Sequence, residues 1–247
     1  MWVWIGLLVS IISTIGMTGS VKSKVVRLQG DLDRDGHLDP VTVSFERPDQ
    51  HGGLHHFKVQ IGRAVYEGKG EHLHGEATIV DIDSTDQSLE IAVPQWGPSD
   101  DDAVYFLRYS KGRIWLIGIV PGAELSIDGS GTVRTSCRGR LLCTWFYPCV
   151  YRWSQEAQVL VEEPQVFKPM HVEVTLLRDL SLCSEPLQWR SSTSVKAGTR
   201  ATIDLTDDRR WCRIHTAQGE GGWFSVEGGW VQGVDAREMF EDLPIAD

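Results

Sequence analysis

The sequence predicts an all-β protein, and three observations lead to this fold class. Apolar and polar residues alternate in several segments, which is the period of a half-buried strand. Clusters of Gly, Pro and Asp separate these segments, as turn residues do. No helical pattern extends beyond about ten residues, and we expect one short helix at 235–240. The predicted strands are 41–45, 57–61, 104–109, 114–120 and 159–161.

The composition is that of an ordinary globular protein. The chain has 247 residues, which is enough for one or two domains. Its hydrophobic fraction is 41% and its charged fraction 23%, both within the usual range. The formal net charge of −10 argues against binding to nucleic acid or to anionic membrane surfaces, because both attract basic proteins. We therefore expect neither as a partner.

Residues 2–17 form an almost entirely apolar run, and the small residues 18–20 follow it. This run is short for a bilayer core of roughly 30 Å, but it suits the apolar region of a secretory signal peptide. Lys22 and Lys24 follow the run instead of preceding it, which leaves an uncleaved anchor as the alternative. Residues 1–20 are predicted to be a signal peptide or an N-terminal anchor. We expect a secreted or cell-surface protein, attached to a membrane only if this segment is retained.

Four aspartates lie close together in the segment 30–39, which reads Gly-Asp-Leu-Asp-Arg-Asp-Gly-His-Leu-Asp. Side chains at loop positions one, three, five and nine can converge on one point, and a glycine at position six permits the sharp turn this needs. Ca²⁺ takes six to eight oxygens at about 2.3–2.6 Å, so such a loop suits it. A solvated acidic turn is the alternative, because Asp and Gly are also common turn residues. The predicted ligands are Asp31, Asp33, Asp35 and Asp39, with the turn at Gly36.

The segment 78–93 repeats this pattern about fifty residues later along the chain. An apolar stretch precedes Asp81 and Asp83, and Glu90 leads into a second apolar stretch. This loop is one residue longer and lacks the central glycine, so its ligand set is poorer. We expect these three carboxylates to form a weaker calcium site. A third echo at 126–133 is better explained as a hairpin turn.

The acidic repeats resemble the FG-GAP/VCBS-type repeat of extracellular β-propellers, in which a D-x-D-x-D-G-x-x-D loop between two strands binds Ca²⁺. The resemblance covers residues 25–45 and, in part, 78–93. It implies that the backbone carbonyl of His37 joins the four aspartates as a ligand. An EF-hand is disfavoured, because the flanks are strand-like and position twelve is Thr42 rather than Glu.

The number of repeats limits what this resemblance implies for the fold. Residues 21–165 hold at most three such units, whereas propellers close with four to eight blades. We therefore expect the first domain to be an incomplete propeller-like stack or a sandwich.

A domain boundary is predicted at 162–169, where two prolines and a charged pair interrupt the strand pattern. Residues 171–233 resemble a bacterial SH3-like domain, because short strands follow one another and end in Gly219-x-x-Gly222-Trp223-Phe224. The resemblance implies a small barrel that binds the cell wall or a protein partner. Residues 234–247 are predicted to be an acidic tail.

Five cysteines leave at least one thiol unpaired within the chain. In an exported protein, disulfides are permitted, and the candidates are Cys183 with Cys212 and one pair among Cys137, Cys143 and Cys149. Buried free thiols are an equal alternative, and the spacing is not that of a zinc ribbon.

No motif in the sequence indicates catalysis, since it has no nucleophile elbow, phosphate-binding glycine loop or dinucleotide fingerprint. We expect a non-enzymatic exported protein that Ca²⁺ stabilises and whose SH3-like domain binds peptidoglycan or another exported protein. Trp230 lies beside glycines and is the expected contact residue, whereas Trp223 is assigned to the barrel core. Two alternatives stay open: a cell-wall hydrolase with dispersed carboxylates, and a module whose acidic loops bind another protein.

Overall fold

The computed structural model describes residues 12–14, 24–46, 54–97, 102–187 and 191–244. Strands account for 60% of the structure and helix for 2%, which confirms the all-β prediction. Every segment predicted to be a strand lies within a strand, and the predicted short helix is present.

The chain forms two compact units. The first comprises Met1–Ser136 and Cys149–Glu163, and the second comprises Cys137–Pro148 and Pro164–Asp247. The segment Cys137–Pro148 is the tip of a hairpin, and its place in the second unit was not anticipated from the sequence. Alternation of apolar and polar residues predicts a strand but not the core into which its buried face packs.

The first unit contains successive antiparallel sheets whose strands pair in chain order. The first sheet contains β1 (Ile12–Thr14), β2 (Lys24–Gly30), β3 (Asp39–Glu46), β4 (His56–Ile61) and β5 (Ala64–Lys69). The second contains β6 (Thr78–Val80), β7 (Glu90–Gln95), β8 (Ala103–Ser110) and β9 (Arg113–Pro121). The third contains β10 (Ser126–Ile127), β11 (Thr132–Gly139), β12 (Trp145–Ser154) and β13 (Val159–Glu162). The last residues of β11 and the first residues of β12 belong to the second unit.

The two acidic repeats and the third, weaker one at 126–133 lie in hairpin turns. The first joins β2 to β3, and the second joins β6 to β7. The third echo is a turn between β10 and β11, in which Gly129 and Gly131 adopt φ angles of 76° and 80°. This confirms the predicted hairpin, since such angles favour glycine.

The second sheet is buried on both faces, because alternate residues of its strands enter different apolar clusters. Ile91 and Val93 on β7 pack with residues of the first sheet, whereas Ala92 between them packs with residues of the third. Tyr105 and Phe106 on β8 divide in the same way. Side chains of a strand alternate between the two faces, so a sheet covered on both sides reads as a continuous apolar run.

The predicted signal peptide or anchor at 1–20 lies outside the described residues, except for Ile12–Thr14, which pair antiparallel with β2. In the described part of the chain, no helix has the length and apolar character needed to span a membrane.

The second unit is built on one antiparallel sheet. Its strands are β14 (Lys168–Leu176), β15 (Leu180–Cys183), β16 (Ser191–Val195), β17 (Arg200–Thr206), β18 (Trp211–Thr216), β19 (Gly221–Glu227), β20 (Trp230–Val231), β21 (Val234–Asp235) and β22 (Phe240–Glu241). They lie in the order β16-β15-β19-β18-β17-β14-β22, and β20 pairs with both β19 and β21. The register shifts in the β14–β17, β17–β18 and β15–β16 pairings, and such irregularities bend strands and increase twist.

The segment after β20 is folded into the second unit as far as Glu241, which differs from the acidic tail expected at 234–247. The helix α1 (Ala236–Met239) begins after Asp235, whose side chain accepts a hydrogen bond from the Arg237 N–H. Met239 and Phe240 are both 2% exposed. These two apolar side chains supply the physical reason for the difference, because burying each removes a large apolar surface from water.

The structure settles the cysteine alternatives. Cys137 and Cys149 are disulfide-bonded, which falls within the predicted pairs. The candidate Cys183–Cys212 bridge is wrong, and the alternative of free thiols is right for this pair. Cys183 lies on β15 and Cys212 on β18, with β19 between them. Two strand spacings are roughly 9–10 Å, beyond the Cα separation of about 4.4–6.8 Å that a disulfide spans.

Candidate functional site

The first acidic loop is the tight turn between β2 and β3. Gly30 pairs with Asp39 at its base, and Gly36 adopts a φ of 89° at its tip. A Cβ atom at Gly36 would meet nothing within 4 Å, so glycine is needed there for its backbone conformation and not for space.

Three of the four predicted aspartates converge. One carboxylate oxygen each from Asp31, Asp33 and Asp39 lies within 4.8 Å of the others, and all three side chains are half-buried. In the described residues this is the one group of at least three His, Cys, Asp or Glu side chains so arranged. Carboxylate oxygens that close together are the kind of ligand set that Ca²⁺ accepts.

Backbone N–H groups fix two of these carboxylates. The Leu32 N–H donates to Asp39 Oδ2 at 3.0 Å, and the Gly36 N–H donates to Asp31 Oδ2 at 3.0 Å. The other oxygen of Asp31, Oδ1, is buried and has no hydrogen-bond partner. A buried oxygen of this kind is costly unless something compensates it.

Asp35 and His37 do not lie with the three converging aspartates. Both are exposed, and Asp35 Oδ1 accepts a hydrogen bond of 2.8 Å from the His37 N–H. Asp35 would have to rotate away from that N–H in order to reach the other carboxylates. The structure thus brings together Asp31, Asp33 and Asp39 of the five predicted ligands.

Asp39 is the carboxylate of this group whose pKa is raised by its surroundings. The pKa of Asp39 lies above its ordinary value, chiefly because of burial and then because of the negative charges of Asp33, Asp35 and Asp31, although the Leu32 N–H opposes the shift. Burial, and then the charges of Asp39, Asp33 and Asp35, raise the pKa of Tyr109. The part of these shifts that comes from neighbouring carboxylates reflects local negative charge, which a bound cation would offset.

The second acidic loop is neutralised by arginines. Arg34, from the first loop, pairs with Asp81 at 2.7 Å between Nη2 and Oδ2. Asp83 Oδ1 accepts hydrogen bonds from the N–H and hydroxyl of Thr85 at 3.0 and 2.6 Å. Glu90 pairs with Arg108. The three carboxylates predicted to form the weaker calcium site are therefore not among those that converge in the described structure.

Arg108 is the centre of a buried polar network that sequence reasoning missed. Its guanidinium pairs with Glu90, which is fully buried, and with Asp86 at 2.9 Å. It also lies 3.8 Å from the ring centroid of Trp153, on β12. A buried charge must be paired in this way to be tolerated. The only signal in the sequence was an arginine inside an apolar strand pattern, Arg108 between Leu107 and Tyr109.

In the second unit, the two tryptophans singled out from the sequence differ in exposure. Trp223, on β19, is 8% exposed, and its ring centroid lies 4.8 Å from that of Phe167. Trp230, on β20, is 53% exposed and lies opposite Asp235 on β21 and Glu227 on β19. Gly228 and Gly229 precede it with φ angles of 58° and 87°. The turn therefore presents a large aromatic side chain to solvent.

Comparison with known proteins gives no relative. No protein family, curated protein or solved structure matches the chain.

Proposed function

We propose that the protein is an exported, non-enzymatic calcium-binding protein whose second unit recognises a partner. The observation that carries the calcium assignment is the convergence of Asp31, Asp33 and Asp39 within 4.8 Å. A cation at that point relieves the carboxylate repulsion that adds to burial in raising the pKa of Asp39, and it supplies a partner for the buried Oδ1 of Asp31. Asp35, after rotation, and the His37 carbonyl complete the coordination that the loop spacing implies.

The proposed architecture of the first unit is propeller-like. Sheets of four or five antiparallel strands follow one another along the chain, and the first two contain an acidic hairpin turn. Apolar clusters lie between the first and second sheets and between the second and third. This stacking supports the FG-GAP/VCBS-like interpretation, in which Ca²⁺ stabilises the turn of a blade.

The proposed second unit is an SH3-like module that binds peptidoglycan or another exported protein. Its short antiparallel strands and the register shifts between them support the barrel interpretation. Trp230 is the proposed contact residue, because an exposed aromatic ring buries much area on binding at small entropic cost.

The disulfide supports the proposed export. Cys137 and Cys149 are bonded to one another as the two oxidised cysteines of the chain. Disulfides form and persist in oxidising compartments and are rare in the cytosol. We therefore propose a secreted or cell-surface location.

The calcium assignment is tested by thermal unfolding in millimolar Ca²⁺ and in chelator. A ligand that binds only the folded state stabilises it by roughly 2.7 kcal/mol at a hundredfold excess over its Kd, so Ca²⁺ should raise the melting temperature. Asp33→Ala should remove most of this rise, since Asp33 belongs to the converging group. Asp83→Ala is the matched control and should keep it. An unchanged melting temperature in the parent protein would end the calcium assignment.

A further inference from the structure

The two acidic loops are built on the same plan. In the first, the Leu32 N–H donates to the carboxylate of Asp39 at 3.0 Å; in the second, the Ile82 N–H donates to the carboxylate of Glu90 at 2.9 Å. Leu32 and Ile82 are both fully buried. These contacts make Asp81 the counterpart of Asp31 and Asp83 that of Asp33. The loops differ in what neutralises them.

Arg34 reaches out of the first loop and into the second. Its Nη2 donates to Asp81 Oδ2 at 2.7 Å, and its Nη1 donates to the backbone carbonyls of Asp86 at 2.8 Å and Ser84 at 3.3 Å. One carboxylate and two carbonyl oxygens of the second loop thus surround a positive charge. Oxygens of these types are the ligands that a hard cation takes, and here the guanidinium fork engages them with its fixed donors.

The backbone conformation of Arg34 indicates that the hydrogen bonds of its side chain to the second loop hold it in place. Arg34 has a φ of 51°, in the left-handed region that non-glycine residues occupy at a cost. Its side chain is 29% exposed, whereas an extended arginine in an acidic turn could be fully solvated. Hydrogen bonds to charged groups are the stronger kind, and they offset the backbone cost. The remaining carboxylates of the loop have other partners: Asp83 accepts from Thr85, while Asp86 and Glu90 pair with Arg108.

We infer that Arg34 is the resident cation of the second loop, where it takes the role that a metal ion would have in the first. Removal of the guanidinium would leave Asp81 and the carbonyls of Ser84 and Asp86 as a cation site of one carboxylate and two carbonyl oxygens. Asp81 Oδ1 is already buried without a hydrogen-bond partner, so the site would gain a further oxygen. This inference concerns the second loop alone and stands whether or not the first loop binds Ca²⁺.

The test counts Ca²⁺ bound per chain, by calorimetric titration of the full chain with CaCl₂. Arg34→Gln should bind one more Ca²⁺ than the parent, and adding Asp81→Asn should remove that ion again. Arg200→Gln is the matched control, because Arg200 forms a surface ion pair with Glu173 in the second unit, and it should bind as many ions as the parent. An Arg34→Gln protein that is folded by circular dichroism and binds no additional ion overturns the inference.

A second background separates this result from the proposed function. Asp33→Asn removes a ligand of the first loop, so it should bind no Ca²⁺, while Asp33→Asn with Arg34→Gln should bind one. If the first loop is no calcium site, the parent binds none and Arg34→Gln still gains one. If Arg34→Gln does not fold, Asp33→Asn remains informative. Ca²⁺ bound by that variant and lost on adding Asp81→Asn would show that Arg34 does not fill the loop.

Discussion

Glu90 is the residue whose ionisation has the clearest consequence for stability. It is fully buried beside Arg108. Burial raises the pKa of its carboxyl from 4.5 to about 7, although Arg108 and the Ile82 N–H act in the opposite direction. Between these two pH values the folded state holds a proton that the unfolded chain has released. The contribution of this group to stability is therefore complete below pH 4.5 and is lost as the pH rises towards 7.

We predict that Glu90→Gln flattens this pH dependence. In the parent protein, the free energy of unfolding should fall by as much as roughly 3 kcal/mol between pH 4.5 and 7.5, and in the variant much less. Denaturant unfolding at several pH values measures this difference. Glu67→Gln, at an exposed position on β5, serves as control and should behave like the parent. An equal slope in Glu90→Gln and the parent would assign the pH dependence to other groups.

Truncation of Trp230 is predicted to weaken binding, whereas truncation of Trp223 is predicted to lower stability. Because Trp230 is 53% exposed, Trp230→Ala should leave the melting temperature nearly unchanged and weaken retention on isolated cell walls, or on a protein partner, by about 1–3 kcal/mol. Trp223 is 8% exposed, so Trp223→Ala should destabilise the second unit by about 3–5 kcal/mol. Co-sedimentation and thermal unfolding measure the two effects. Retention unaffected by Trp230→Ala would place recognition elsewhere.

At the scale of elements, the hairpin tip Cys137–Pro148 is fastened within the second unit by one carboxylate. Asp208 Oδ1 accepts hydrogen bonds from the backbone N–H groups of Arg140 and Leu141 at 3.0 and 3.1 Å. Its other oxygen pairs with Lys168 at 3.3 Å, and the Lys168 ammonium lies 4.6 Å from the ring centroid of Tyr147. One side chain therefore joins the two segments of chain that make up this unit.

Asp208→Ala should loosen the tip and lower the stability of the second unit. Two backbone donors would lose their acceptor. Water can replace it for the exposed Arg140 N–H, whereas the part-buried Leu141 N–H is of the kind that costs about 1–3 kcal/mol when left unsatisfied. The expected loss is of that order in denaturant unfolding, with faster proteolysis near Leu141. Glu220→Gln removes an exposed charge from the same unit and should change neither. A fully stable Asp208→Ala protein would show that packing of Trp145 and Tyr147 alone holds the tip.

At the scale of the whole molecule, the predicted boundary at 162–169 is a site for limited proteolysis, because few contacts cross a domain boundary. A fragment of residues 164–247 should fold on its own. It should also be less stable than the same unit in the full chain, because it lacks Cys137–Pro148. Unfolding of the fragment and of the full chain, followed by Trp fluorescence, measures this. First cleavage elsewhere, with an unfolded fragment, would mean that the two units share one core.

How far the sequence predicts this molecule depends on how local the interaction is. The closeness of Asp31, Asp33 and Asp39 was predictable, because nine residues of one turn determine it. The partners of Asp81 and Glu90 were not, because Arg34 and Arg108 meet them only after sheets form and stack. The sequence contains one indication of the role of Arg34, which is a single positive charge between two aspartates. The sequence contains no indication that the hairpin tip at 137–148 belongs to the second unit, because the apolar cores of both units accept the same kinds of residue.

Both faces of the second sheet are buried, and this affects the order in which parts of the first unit unfold locally. Ile91 and Leu107 belong to one apolar cluster, and Ala92 and Phe106 to the other. The amides of β7 and β8 can be reached by water only when both clusters are disrupted, whereas either outer sheet can detach with the loss of one. In hydrogen exchange the central strands should therefore exchange only through the largest opening of the unit, while the outer sheets exchange through smaller ones.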